Sequence, residues 1–252
     1  MLSSALPSFA GLRLQAGSAL LIFDLDGTLI DSRADLVHSV NAALAHLQRP
    51  PLPEATVGQY VGDGATLLMQ RALGLAPPPE RSRRPLPPLQ LEAAAAALSA
   101  RAVDLFLACY ARHKLDSTVL YPGVHDGLHL LADAGARLAV LTNKPVRPSQ
   151  EIVAHLGIAP LFCAVHGGNS FAQKKPDPVG IFALLRACGA VREQTVMIGD
   201  SSVDVLAGRN AGVWTAGLSY GFAPESLLLQ PPDWIAGTFA ELCHGLMHAM
   251  TQ

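Results

Sequence analysis

The chain has 252 residues, half of them hydrophobic, which is enough for one large domain or for a core domain with a smaller insert. Its formal net charge of -2 argues against a nucleic-acid or anionic-membrane surface, because such surfaces show as an excess of Lys and Arg. The four cysteines are widely scattered without a CxxC pair, which is typical of buried residues in a reducing compartment, and no structural zinc site is predicted. We expect neither a signal peptide nor a membrane-spanning helix, and therefore a cytoplasmic protein without a nucleic-acid or membrane partner.

Strand and helix patterns alternate along most of the chain. Residues 19–23 form a short apolar run that predicts a buried central strand. The same reasoning predicts strands at 137–141, 161–166, 195–198 and 212–218, and a possible edge strand at 234–235. Helices are predicted at 124–134, 148–156, 179–188, from about 204 to 211, and at 240–250. Such alternation predicts right-handed βαβ units and a doubly wound parallel sheet.

The block between the first two of these strands is different, because it carries helical patterns and no strand pattern. Apolar residues at three-and-four spacing predict a helix between Ser32 and Pro50, and Ser32 with Asp35 resembles a capping box at its start. Further helices are predicted at 65–73 and 91–113, and the proline- and arginine-rich residues 77–88 favour an extended surface insertion. We therefore expect an α/β core domain of residues 1–31 and 119–252, with an inserted helical domain of residues 32–118.

Polar side chains follow four of the predicted strands. Side chains two residues apart in an extended chain point the same way, and the carboxyl ends of parallel strands share one edge of the sheet. Three or four carboxylates form a hard oxygen site suited to Mg²⁺, and a Lys with a Thr hydroxyl complements a phosphoryl group. Because no Walker-type loop and no GxSxG motif is present, the best nucleophile is a carboxylate that forms an aspartyl-phosphate. The residues at these ends are Asp24, Asp26, Thr142, Asn143, Lys175, Asp200 and Asp204.

Four motifs at these strand ends give the chain a clear resemblance to the haloacid dehalogenase superfamily of phosphohydrolases. They are DLDGTLIDS starting at Asp24, LTN ending at Asn143, KKPDP starting at Lys174, and GDSSVD starting at Gly199. The resemblance implies a Rossmann-like core with an inserted helical cap of the C1 type. A cap that closes over the site limits the substrate to a small phosphorylated metabolite.

The resemblance also implies a role for each motif residue. Asp24 would attack phosphorus, while Asp26 would protonate the leaving oxygen and then activate the hydrolytic water. Thr142 and Lys175 would bind the phosphoryl oxygens, and Lys175 would also screen the charge of Asp24. Its neighbour Lys174 is expected to be solvated. The remaining phosphate-binding groups would be the amide of Gly27 and Asn143.

The resemblance further implies a set of metal ligands. Mg²⁺ would be held by Asp24, by the main-chain carbonyl of Asp26, and by Asp200. Asp204 would be an alternate or indirect ligand, or else a helix-capping or salt-bridging acid that does not touch the metal.

The acid at Asp26 favours phosphate esters over carbon–chlorine or carbon–phosphorus bonds, since dehalogenases and phosphonatases of this fold lack it. Within the superfamily, segments such as VGDGATLLMQRAL and LYPGV are most similar to bacterial phosphoglycolate phosphatases, which implies 2-phosphoglycolate as substrate. The amides of the turn at 61–64, Arg33 and Arg71 would then meet its carboxylate. The alternatives are a sugar-phosphate phosphatase (such as one for N-acetylmuramate 6-phosphate), a β-phosphoglucomutase-type phosphomutase, and a catalytically idle binding relative.

Overall fold

A computed structural model describes residues 11–78 and 92–251, and within them six parallel strands form the central sheet. The strands are β1 (Leu20–Phe23), β2 (Ile30–Asp31), β3 (Val119–Leu120), β4 (Arg137–Leu141), β5 (Phe162–His166), β6 (Thr195–Gly199), β7 (Trp214–Leu218) and β8 (Trp234–Ala236). The sheet order is β5-β4-β1-β6-β7-β8, so the predicted doubly wound α/β core is confirmed. The predicted insertion at 77–88 lies almost wholly outside the described residues.

Helices cover both faces of this sheet. They are α1 (Arg33–His46), α2 (Glu54–Tyr60), α3 (Ala65–Ala72), α4 (Ala93–His113), α5 (Val124–Asp133), α6 (Val146–His155), α7 (Val179–Cys188), α8 (Ser202–Ala211), α9 (Glu225–Leu229) and α10 (Phe239–Met250). Apolar residues of α5, α6 and α10 pack on one face, and those of α7 and α8 pack on the other. Full burial of each Leu, Ile or Phe side chain contributes about 1.5–3 kcal/mol, so these two layers supply the main driving force for the core.

Strand β1 is the centre of the sheet because all four of its side chains are apolar and fully buried. It pairs in parallel with β4 and β6, and Phe23 lies beside Val140 on one side and Ile198 on the other. The carboxyl ends of the three strands are therefore level. The residues that follow them meet at one edge of the sheet, which is where ligands bind in folds of this kind.

The four helices α1 to α4 pack around an apolar cluster of their own, which includes Leu36, Met69 and Phe106. The chain enters and leaves this helical block through β2 and β3, which pair antiparallel with Ile30 beside Leu120. These two-residue strands are too short to show a periodic pattern, and the sequence does not predict them. The division of the chain at residues 31 and 118 stays a prediction.

The capping box predicted at the start of α1 is wrong. The hydroxyl of Ser32 donates to Asp26 at 2.5 Å instead of capping the helix. The buried carboxylate of Asp35 accepts hydrogen bonds from the N–H groups of Ser117 and Thr118 and from the Thr118 hydroxyl, at 2.7–3.2 Å. Asp35 therefore joins the start of the helical block to the point where the chain leaves it.

Helix α4 is long and apolar enough to cross a membrane by length and composition alone, with a mean hydropathy of 1.4, which the sequence analysis did not predict. Its alanines raise the hydropathy without forming a run of large apolar side chains. In the structure its Phe106 and Tyr110 pack into the apolar cluster of the helical block. The cytoplasmic location stays a prediction.

Candidate active site

The residues that follow β1, β4 and β6 converge at one edge of the sheet. Asp24 continues β1, and its N–H donates to the carbonyl of Ile198 at 2.9 Å. Thr142 follows β4, Asp200 follows β6, and Lys175 comes from the loop before α7. All four of these site residues are buried, so the structure brings together groups that are far apart in sequence.

Lys175 lies between two carboxylates. Its Nζ is 3.0 Å from Oδ1 of Asp24 and 2.6 Å from Oδ1 of Asp204. Burial works against the charged form of Lys175, but the contacts with Asp204 and Asp24 outweigh it and raise its pKa. Burial also raises the pKa of Asp24, which Lys175 and the Thr142 hydroxyl partly counteract. The lysine is therefore held as a cation beside the predicted nucleophile.

Asp200 is fixed by backbone groups from the segment after β7. Its Oδ2 accepts the N–H groups of Phe222 and Ala223 at 2.6 and 3.2 Å. Burial, together with the charges of the neighbouring carboxylates, raises its pKa to about 7. Gly27 passes close by with φ of +78°, and a Cβ on it would lie 2.4 Å from Oδ2 of Asp200. Only glycine fits this position, since it avoids both the left-handed strain and the clash.

The carboxylates of Asp24, Asp200 and Asp204 fit a divalent cation. One oxygen from each lies within 4.8 Å of the others, and all three residues are buried. Such carboxylates are costly to hold together without a cation, and Lys175 supplies one positive charge against three negative ones. An all-oxygen donor set suits a hard ion such as Mg²⁺. Asp204 also forms a capping box with Ser201 at the start of α8, so it has a structural role whether or not it touches a metal.

The carboxylate of Asp26 contacts a different lysine from the one beside Asp24. It accepts the Ser32 hydroxyl, and Nζ of Lys144 lies 2.9 and 2.8 Å from its two oxygens. Burial opposes the charge of Lys144, but Asp26 outweighs it, with a further contribution from Tyr110, so the pKa of Lys144 is raised. The Nζ also lies 4.5 Å from the ring centroid of Tyr110 on α4.

The sequence analysis missed Lys144 as a functional residue. The available signal was its position, directly after the LTN motif and one residue beyond a predicted phosphate-binding Asn. The main-chain carbonyl of Asp26 as a metal ligand stays a prediction.

Two polar residues of the core hold the turn at 61–64 of the helical block. The Nδ2 of Asn143 donates to the carbonyls of Gly62 and Lys175, both at 3.0 Å, so its amide hydrogens already have partners. Lys174, expected to be a solvated neighbour, donates to the carbonyl of Asp63. The two residues connect the phosphate-binding motifs of the core to the block above them.

Three groups expected to bind the substrate's anionic parts are used elsewhere. The N–H of Gly27 donates to the carbonyl of Ile30 at 3.0 Å, because the loop closes on itself. Arg71 pairs with Asp63 at 2.7 Å, which neutralises the acid in the turn. The guanidinium carbon of Arg33 lies over the ring of Phe222, 4.7 Å from the ring centroid.

A cavity of about 50 Å³ lies between the strand ends and the helical block. Its walls come from both the core and the helical block, so a molecule bound here would contact both. The hydroxyl of Tyr110 and Oδ1 of Asn143 are buried without a hydrogen-bond partner among the described residues, and both residues line the cavity. The lining from the core is Asp24, Asp26, Thr142, Asn143, Lys144 and Pro145, and that from the block includes Leu36, Leu68, Phe106 and Tyr110.

Comparisons with known proteins agree with this geometry. A family model described as haloacid dehalogenase-like hydrolase matches residues 21–218. The chain is 39% identical over 224 residues to a phosphoglycolate phosphatase of Colwellia psychrerythraea, covering 88% of this chain and 94% of the relative. It is 40% identical over 207 residues to a phosphoglycolate phosphatase of Psychrobacter arcticus, covering 81% of this chain and 84% of the relative. Among solved structures, a predicted phosphoglycolate phosphatase from Haemophilus somnus matches with a TM-score of 0.78 at 32% identity, covering 94% of this chain and 99% of that one.

Gly27→Ala is expected to damage the site more than the fold, and Gly157→Ala provides a matched control. Both glycines have positive φ, +78° and +74°, but only at Gly27 would a Cβ meet Asp200, since nothing lies within 4 Å of Gly157. Each alanine should lower the free energy of unfolding by about 1–2 kcal/mol of backbone strain, measured by urea denaturation, and Gly27→Ala should lower it further because of the clash with Asp200. Only Gly27→Ala should also lose about a hundredfold in hydrolysis of an aryl phosphate. Equal activities of the two variants would contradict the role assigned to Gly27.

Proposed function

The protein belongs to the haloacid dehalogenase-like hydrolase family, and we propose that it is a Mg²⁺-dependent phosphatase acting on 2-phosphoglycolate. The ester would be hydrolysed to glycolate and phosphate through an aspartyl-phosphate on Asp24. Hydrolases of this family generally use a divalent metal ion, and the curated relatives are named phosphoglycolate phosphatases.

The observation that carries this proposal is the pair of acids, Asp24 and Asp26, in two different surroundings. Asp24 is buried beside Lys175 and the carboxylate cluster, which suits a nucleophile. Asp26 lines the same cavity, where it can meet the leaving group, and it can hold a proton once Lys144 turns from its carboxylate to that of the substrate. A phosphate ester releases an alkoxide that needs a proton, and Asp26 is placed to supply it.

In the first step, a carboxylate oxygen of Asp24 attacks phosphorus and the bond from phosphorus to the ester oxygen breaks. The Nζ of Lys175 lies 3.0 Å from Oδ1 of Asp24 and holds that carboxylate in place. Together with the Thr142 hydroxyl, Lys175 stabilises the negative charge that develops on the phosphoryl oxygens. When bound by Asp24, Asp200 and the main-chain carbonyl of Asp26, Mg²⁺ supplies the positive charge that neutralises those oxygens. Asp26 gives its proton to the departing glycolate oxygen.

In the second step, Asp26 takes a proton from a water molecule as its oxygen attacks phosphorus. The bond between phosphorus and Asp24 breaks, and phosphate leaves. Leu36, Leu68 and Phe106 line the cavity with apolar surface, which would help to exclude bulk water when the block closes on a bound substrate.

Lys144 is the group we assign to the carboxylate of the substrate. Of the described residues that line the cavity, it alone carries a positive charge. The two arginines expected in this role, Arg33 and Arg71, are not among the described residues that line this cavity. The Tyr110 hydroxyl, buried in the same cavity without a hydrogen-bond partner among the described residues, supplies a donor for one carboxylate oxygen.

The position of Lys144 also limits which substrates can use it. Its Nζ contacts both oxygens of Asp26, the acid that must reach the leaving oxygen. The ammonium group of Lys144 can therefore reach only those substrate groups that lie close to the leaving oxygen. In 2-phosphoglycolate the carboxylate is attached to the carbon that bears the ester oxygen, whereas a hexose phosphate has no charged group so near.

Asp24→Asn should abolish turnover while leaving the fold intact, because the change is isosteric and removes the nucleophile. We expect hydrolysis of 2-phosphoglycolate with Mg²⁺ to fall below roughly a hundredth of the wild-type rate, or ~2.7 kcal/mol of barrier, with a native circular dichroism spectrum. A variant that keeps more activity would exclude Asp24 as the nucleophile. Failure of the wild-type protein to hydrolyse any phosphate monoester, an aryl phosphate included, would contradict the phosphatase proposal.

Lys144→Met should remove the preference for a carboxylate. The measurement is the ratio of kcat/KM for 2-phosphoglycolate to kcat/KM for ethyl phosphate, which lacks the charged group. A hydrogen bond to a charged group contributes about 1.5–3 kcal/mol, so we expect this ratio to fall roughly 10- to 150-fold. Lys144→Arg should keep part of the preference. Lys114→Met is the matched control, since Lys114 is also buried and paired with a carboxylate, Glu151 at 2.8 Å, but does not line the cavity.

The outcomes separate the possible roles of Lys144 and the possible substrates. An equal loss on both esters would assign Lys144 to holding Asp26 and not to recognising substrate. A wild-type preference for sugar phosphates over 2-phosphoglycolate would contradict the proposed substrate while leaving the phosphatase activity in place. An isomeric product that forms only with a bisphosphate activator would indicate a phosphomutase.

A further inference from the structure

A second cluster of metal-ligating side chains lies outside the cavity, at the contact between α1 and α4. It consists of His38 on α1 and of Cys109 and His113 on α4. One ligand atom from each residue lies within 4.8 Å of the other two. The rings of His38 and His113 meet edge to face with centroids 4.9 Å apart. His38 is exposed, so the cluster is open to solvent, while Cys109 closes it from below.

The cluster follows from helix geometry. Cys109 and His113 are four residues apart on α4, and residues at this spacing lie on the same helix face. Packing of α1 against that face brings His38 to them from another helix. The expectation that no zinc site is present rested on the absence of a CxxC pair and of an HxxxH spacing, and the second of these was wrong, because His125 and His129 have that spacing. A Cys and a His one helical turn apart do not meet either criterion, and the third residue comes from a distant part of the chain.

One ring nitrogen of His113 has a carboxylate partner. Its Nδ1 lies 2.8 Å from Oδ2 of Asp116, and this contact favours the tautomer that carries its proton on Nδ1. The lone pair of Nε2 is then available to a cation. Histidines that bind metals almost always donate their other ring N–H to a carboxylate, a carbonyl or water, so Asp116 is an independent observation in favour of a metal site.

We propose that His38, Cys109 and His113 bind a divalent cation of the zinc class, with water in the fourth position. Two imidazoles and a thiolate form the donor set that zinc accepts in proteins and Mg²⁺ does not. Cys109 releases its thiol proton to solvent when the ion binds. Because the ligands come from two helices, the ion clamps α1 to α4 beside Tyr110. This site is distinct from the carboxylate cluster and does not rest on the proposed reaction.

Three other groups among the residues that the structure describes can compete for Zn²⁺, and the test must separate them. His125 and His129 on α5 form an exposed pair with ring centroids 4.8 Å apart but without a cysteine. Cys163 has its Sγ 3.0 Å from that of Cys188. The third group is the carboxylate cluster around Asp24, and excess Mg²⁺ is included to compete with Zn²⁺ there.

The test is isothermal titration calorimetry, in which Zn²⁺ is added to the full chain in the presence of excess Mg²⁺. The wild type should bind one equivalent at this site. Loss of any ligand should weaken binding by more than tenfold, and Asp116→Asn should weaken it by about tenfold, the usual effect of removing a carboxylate behind a ligating His. The ligand variants are His38→Gln, Cys109→Ala and His113→Gln, and the controls expected to bind as wild type are His125→Gln and Cys163→Ser.

Two further readouts do not depend on enzyme activity. Co²⁺ in place of Zn²⁺ should give a thiolate-to-cobalt absorption band in the near ultraviolet, which Cys109→Ala removes and Cys163→Ser keeps. Zn²⁺ at tenfold excess over its Kd should raise Tm by about 3–6 °C, and the exposed substitution His38→Gln should cancel this rise without changing Tm in the absence of zinc. Binding that is absent in the wild type, unchanged in both His38→Gln and Cys109→Ala, or lost in His125→Gln or Cys163→Ser would overturn the proposal.

Discussion

Three buried carboxylates, two of which contact Lys175, are the constraint on which the rest of the structure depends. The parallel register of β1 and β6 places Asp24 and Asp200 side by side, and Asp204 follows one turn into α8. Burial raises the pKa of Asp24 and Asp200, which means that their charged forms are costly unless a cation is near. Lys175 offsets part of that cost. The remaining negative charge is what a bound Mg²⁺ would balance, so in the proposed function the cost of holding the cluster would be the source of its affinity for a metal ion.

A second ion pair connects this chemistry to the helical block. Asp26 belongs to the core, but its partner Lys144 also lies against Tyr110 on α4. Asn143 and Lys174 hold the turn at 61–64 from the core side. Movement of the block therefore breaks contacts made by residues next to the reacting groups. In the proposed reaction, closure of the helical block brings Asp26, Lys144 and the apolar lining of the block together around the substrate. Recognition of the substrate's carboxylate is then coupled to the exclusion of water.

The sequence predicts the sheet, the family and the phosphatase class because these follow from local patterns, and the comparisons confirm all three. Prediction from the sequence fails where a contact joins segments that are far apart along the chain. Asp35 suggests a capping box with its neighbour, but its partners lie 82 and 83 residues away. Lys144 carries no motif of its own, and its partner Asp26 is 118 residues away. Motif membership suggests that Gly27 and Asn143 bind phosphate, but it does not reveal that the Gly27 amide and the side-chain amide of Asn143 already have partners. In this chain, the sequence predicts the role of a residue that belongs to a strand-end motif. It does not predict the role of a residue that depends on how the helical block packs.

The central claim, that the carboxylate cluster is a Mg²⁺ site, is tested most directly by the Tm of the full chain at increasing Mg²⁺ concentration. An ion that binds only the folded state at a hundredfold excess over its Kd stabilises it by about 2.7 kcal/mol, which corresponds to a rise in Tm of roughly 5–10 °C for a chain of this size. Asp200→Asn should cancel this rise. A Tm that does not respond to Mg²⁺, in a protein that still hydrolyses phosphate esters, would contradict the account.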